Sequence, residues 1–175
     1  MASASQPALR PVDVVVALRL ALRPEEKYEA IASALGIALS AAHRAVKRLE
    51  AAGLVLPHRR AIRTRPLLDF LVHGVPHAFY PVTGPEAPGI PTAYSGPPLA
   101  AEIQGERPLV WASLHGTIRG DTLVPLYEGA HLLPERDPKL YELLTLVDGI
   151  RVGRARERRI ATGLLEKRLR KEANE

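Results

Sequence analysis

Apolar residues in the first half of the chain recur at helical spacing. Residues 12–22 form an apolar run that opens after Pro11 and stops at Pro24, which predicts a first helix. Residues 25–35 predict a second. Tyr28, Ile31, Ala32 and Leu35 fall at i, i+3, i+4 and i+7 on one face, and Gly36 suits the left-handed residue that ends a helix. Residues 39–52 predict a third helix, with Ala42, Ala45, Val46 and Leu49 as its inner stripe and Gly53 as its stop. Leu54, Val55 and Leu56 read as a short strand. The basic turn at 57–64 returns as a second strand through Ile62. Thr64 is expected to cap a fourth helix, with Pro66 in its first turn and Leu67, Leu68, Leu71 and Val72 on its face.

Beyond Val75 the pattern changes. Seven prolines and three glycines punctuate residues 76–98, which predicts an extended arm or loop with short strands at 77–82 and 91–94. An irregular run of that length is uncommon inside a compact domain, so a linker, a wing or a segment laid over a partner is expected. Residues 109–111 and 122–126 read as short strands around the loop HGTIRGD. Asp137 and Pro138 form a helix start, followed by the stripe Leu140, Leu143, Leu144 and Val147. A last helix runs to about residue 171, with Ile160, Leu164 and Leu165 as its clearest apolar positions. No internal repeat is present. The expected architecture is α+β and mainly helical, in three parts: a helical unit at 8–75, a Pro/Gly-rich arm at 76–98, and an α+β region at 99–175 that ends in helices.

Composition narrows the function. The 175 residues are 46% apolar and 25% charged, enough for a globular core. The absence of cysteine excludes disulfide scaffolds, cysteine-based zinc sites and thiol catalysis. No apolar run approaches the roughly 18 residues needed to span a bilayer, and the opening MASASQPALR holds no signal-type apolar stretch. A cytoplasmic protein without membrane contact is expected. The net charge is +5, and the basic residues gather at 44–65 and 151–171, which favours a polyanionic partner.

Helix, glycine turn, helix, glycine, short apolar strand and basic turn follow one another in IASALGIALSAAHRAVKRLEAAGLV, residues 31–55. This order resembles the winged helix-turn-helix of bacterial transcriptional regulators, such as the MarR-like and GntR-like groups. The resemblance covers residues 12–66. It implies that the 39–52 helix enters the major groove of double-stranded DNA. Leu39, Ser40, Ala41, His43 and Arg44 would then lie near base edges, and Lys47 and Arg48 at phosphates. Arg59, Arg60 and Arg63 would sit on the wing, against the backbone or minor groove. The chain departs from the family in three ways. Ala38 stands where a Ser, Thr or Asp cap is usual, leaving Ser40 as the alternative cap. The reading face is poor in Asn and Gln. Pro57 and Pro66 leave little room for a long wing.

The other candidate chemistry is weaker. His73 and His77 have metal-ligand spacing, but Gly74 and Pro76 are expected to break the helix between them and no third ligand is near, so no metal is expected. HGTIRGD is compatible with an anion site and reads better as a polar turn. Ser113, His115 and Asp121 do not define a catalytic set, and neither an enzyme nor a cofactor is expected. Leu140, Leu144, Ile160, Leu164 and Leu165 are assigned to a homodimer interface, since paired reading heads gain affinity from two half-sites. Arg151, Arg154 and Arg158 offer a second nucleic-acid contact. The expected function is a dimeric repressor that occupies an operator. The alternative is an antitoxin-like or phage-defence protein that binds a protein partner and uses the winged helix for autoregulation.

Overall fold

The computed structural model describes residues 5–105 and 107–173. The order of elements is α1 Pro11–Leu22, α2 Tyr28–Leu35, α3 Leu39–Ala51, β1 Val55–Leu56, β2 Ala61–Ile62, α4 Thr64–Asp69, a π-helical turn Phe70–Gly74 and α5 Val75–Ala78. Then come β3 Thr83–Pro91, β4 Leu109–Ala112, β5 Ile118–Leu123, α6 Leu133–Arg136, α7 Pro138–Val152 and α8 Ala155–Glu172, with short 3-10 turns between. The protein is α+β and mainly helical. No helix among the described residues is long and apolar enough to cross a membrane.

α1 is the central element. Every residue from Asp13 to Leu20 is buried, as befits a helix covered on all sides rather than on one stripe. It packs against α3 on one flank and against α7 and α8 on another. One apolar cluster consequently runs from Val14 through Leu49 and Leu71 to Leu165 and Leu169. The three units expected from composition share this core, and the expected boundary at 75 falls inside the helical run 64–78.

Local chemistry explains where helices start and stop. α2 begins at Tyr28, three residues later than the periodicity predicts, because residues 23–26 are taken up in a turn. Glu25 there has a φ of 62°, and the Arg60 side chain holds the carbonyls of Glu25 and Glu26. Gly36 ends α2 with a φ of 63°, in the left-handed region where a side chain is strained. Gly36→Ala is accordingly expected to lower the melting temperature by about 2–4 °C, from ~1 kcal/mol of strain; an unchanged thermal melt would show that the turn relaxes freely.

Thr64 does not cap α4. It is the first residue inside the helix, Arg63 holds the cap position, and no side-chain cap bond forms there. Gly74 and Pro76 do not break the helix either. A wide π turn, in which Val75 donates to the Phe70 carbonyl, absorbs the missing amide and the ring of Pro76.

The Pro/Gly-rich segment is not an arm. Residues 83–91 form β3, which pairs antiparallel with both β4 and β5, while β4 and β5 touch in parallel at Leu109–Asp121 and Val110–Thr122. The short strands expected at 77–82 and 91–94 are absent: 77–78 end α5 and Ala93–Ser95 is a 3-10 turn. Three strands close so tightly here that a side chain on Gly89 would meet the Trp111 carbonyl, and one on Gly116 would meet the Gly89 backbone. A β-bulge between Gly84 and Glu86 accommodates Pro85.

The small sheet is tied to the helices by a buried node. The Asp148 carboxylate on α7 accepts from Thr92 Oγ1 and Trp111 Nε1 at 2.8 Å each and from Arg151 Nη1 at 2.7 Å. Arg151 also donates to the carbonyls of Phe79 and Tyr80. Burial pushes the Asp148 carboxyl above its ordinary range, against the opposing pull of Arg151 and its other donors.

Candidate nucleic-acid interface

α2 and α3 are consecutive helices joined by the left-handed turn at Gly36. The inner stripe of α3, Ala42, Ala45, Val46 and Leu49, is buried against α1 and α2, beside Ile31, Ala32 and Leu35. Packing of this stripe fixes which face of α3 points outward. Ala38 occupies the cap position without a side-chain bond, and the helix starts at Leu39, so Ser40 lies within the first turn and caps nothing. Leu39, Ser40, His43, Arg44 and Lys47 are exposed, and Ala41 is half-buried.

The predicted contacts divide sharply once their partners are seen. Arg44 and Arg59 are exposed with no carboxylate partner among the described residues. His43 is held in place by stacking on Tyr28, with ring centroids 3.7 Å apart. Lys47 donates to Glu50 at 2.7 Å, and that bond raises its pKa while the ammonium stays exposed. Arg48 is different. Its guanidinium turns inward and grips Asp13 through two bonds of 2.7 and 2.6 Å, which also raise its pKa. It is a strut between α3 and α1, not a phosphate contact, because a buried carboxylate competes for the same donors.

Two of the three arginines expected on the wing are also employed inside the fold. Arg60 holds the turn before α2 and lies 5.1 Å from the centre of the Tyr28 ring. Arg63 donates to the Gly53 carbonyl at 2.9 Å and closes the exit of α3. The hairpin expected as the wing is minimal: β1 and β2 pair only at Val55–Ile62 and Leu56–Ala61, with Arg59 exposed in the turn between them. Tyr28 is legible in the sequence only as a core-stripe residue. Its place beneath both His43 and Arg60 shows that it organises the outer face, through contacts that no helical period encodes.

The remaining candidates resolve as follows. Leu140, Leu144 and Leu165 are at most 1% exposed within the chain's own core, and Ile160 and Leu164 are partly buried against it. Leu140, Leu144 and Leu165 are not available to a dimer interface, because α7 and α8 pack them against α1 and each other, while Ile160 and Leu164 keep part of their surface outside the core. HGTIRGD is half turn and half β5, with Arg119 paired to Glu86 at 3.0 Å and Asp121 to Arg107 at 2.8 Å. His73 and His77 lie exposed on the helical run 64–78, and no group of three metal-ligating side chains forms among the described residues. Arg151 is buried in the Asp148 node and is not free to make a second nucleic-acid contact, while Arg154 and Arg158 remain exposed.

No family model, curated protein or solved structure matches this chain.

Proposed function

We propose that the protein is a sequence-specific double-stranded DNA-binding transcriptional regulator that inserts α3 into the major groove. The observation that carries this reading is the division of α3 into two faces. One is locked by apolar packing and by the Arg48–Asp13 pair. The other offers Ser40, a stacked His43, Arg44 and Lys47 to solvent on a rigid helix. Arg44 suits the O6 and N7 of guanine, Lys47 suits a phosphate, and Arg59 on the turn of the short hairpin suits the flanking backbone. Operator occupancy that blocks transcription is the simplest mechanism for such a module.

The homodimer stays part of the proposal, but its surface is a different one. Val82 and Val124 are exposed beside each other at the end of the β3–β5 ladder, where the Val124 amide donates to the Val82 carbonyl, and Tyr80 nearby is 68% exposed. Exposed apolar groups grouped in this way favour a protein contact. The same patch serves the alternative of a different protein partner.

The test is fluorescence anisotropy with the DNA upstream of the protein's own gene, at two salt concentrations and against unrelated competitor. Specific binding is expected, and Arg44→Ala is expected to weaken it about 10- to 100-fold, the range for removing one bidentate bond to a base. Sequence-blind binding that salt erases and Arg44→Ala leaves unchanged would refute the reading.

A further inference from the structure

The outer face of α8 breaks two rules of helix stability at once. Arg156 and Arg159 sit in its first turns, where the positive end of the helix dipole opposes them. The one acid in that first turn, Glu157, is occupied in accepting from the Arg154 amide. Farther along, Gly163 sits mid-helix and exposed, and a side chain there would meet nothing within 4 Å. Glycine in a helix interior is costly relative to alanine, and no packing among the described residues requires it. Arg156, Arg159, Gly163 and Lys167 are spaced by three, four and four residues, so they share one side of the helix. All are exposed, and the three cations have no carboxylate partner among the described residues. Local rules broken together on one face mark a surface shaped by something outside the fold.

We propose that this face binds the phosphate backbone of a nucleic acid duplex, separately from α3. The glycine lets the backbone approach the helix closely, and the arginines and Lys167 on either side meet phosphates. A protein partner fits less well. Protein interfaces are anchored by apolar or aromatic groups, and among the described residues the exposed large apolar side chains lie elsewhere, as at Leu39, Leu56, Tyr80, Val82, Leu114 and Val124. α3 and α8 both pack against α1. The α8 contact therefore adds a second phosphate-binding surface to that of α3; this addition rests on the reading of α3 given above, whereas the α8 contact does not.

The experiment uses the full chain carrying Arg44→Ala, so that base reading by α3 is removed, and a mixed-sequence duplex as probe. Arg156→Gln, Arg159→Gln and Lys167→Gln are combined, and binding is followed against salt. The combined variant is expected to bind about tenfold more weakly and to flatten the log–log salt slope by about 2–3, near 0.9 for each phosphate that the protein ceases to neutralise. Gly163→Leu is expected to melt no lower than its parent and still to bind at least fivefold more weakly, which a merely structural glycine would not do. An unchanged slope in the triple variant overturns the proposal. So does displacement of the duplex by polyglutamate at equal charge, which would assign the face to an acidic protein.

Discussion

Asp148→Ala is expected to remove about 3–5 kcal/mol of folding stability, the range for breaking a buried ion pair by deleting one partner. The carboxylate is 1% exposed and is the meeting point of three donors. Without it, the Arg151 guanidinium, whose side chain is 4% exposed, is left charged with only carbonyls to meet it. The buried Thr92 hydroxyl and the Trp111 indole N–H lose their acceptor in the same step. The effect reaches beyond α7, because these donors come from the residue that follows β3, from β4 and from the last turns of α7 itself, where Arg151 also reaches the chain after α5. Trp111 is the only tryptophan, so its fluorescence reports the node directly in urea unfolding. Asp148→Asn keeps one acceptor oxygen in a side chain of similar shape but loses the charge and puts an NH2 donor where the other oxygen accepts, so its midpoint should fall between those of the parent and Asp148→Ala. If the alanine variant unfolds at the parent's midpoint, the node does not hold the sheet to the helices.

The N-terminal helices are legible in the sequence because their signals are local. Pro11 and Pro24 bound α1, Gly36 takes the left-handed turn, and the stripe Ala42, Ala45, Val46 and Leu49 sits where a period of 3.6 places it. The same kind of pattern cannot say what a stripe packs against. Leu140, Leu144 and Leu165 look alike as core and as interface, and the structure buries them inside the chain. β3 is illegible for a different reason. Its prolines and glycines are the residues of loops, yet here they let three strands approach until the Gly89 and Gly116 backbones nearly touch. That demand comes from β4 and β5, far along the chain. The candidate reading face is misread from sequence where partners are distant. Arg48 and Arg60 are visible as cations, but Asp13 and the carbonyls that claim them lie about 35 residues away.

This difference among the cations of α3 and the wing can be separated by experiment. Arg48→Ala is expected to destabilise the fold by about 2–4 kcal/mol, somewhat below the range for a fully buried pair because the Arg48 side chain is 20% exposed. Asp13 would remain buried at 1% exposure, with the Arg10 amide as its remaining donor. Asp13→Asn should reproduce much of the loss, since it breaks the same pair from the other side. Arg44→Ala should do the opposite: it leaves the thermal melt within about 0.5 kcal/mol of the parent, as surface substitutions do, and weakens DNA binding. At a temperature where both variants are folded, the Arg48→Ala protein should bind DNA within a few-fold of the parent, because the Arg48 guanidinium is engaged by Asp13 in the free protein. An Arg48→Ala variant that melts like the parent and fails to bind would return that arginine to the phosphates, and α3 would then be held to α1 by apolar packing alone.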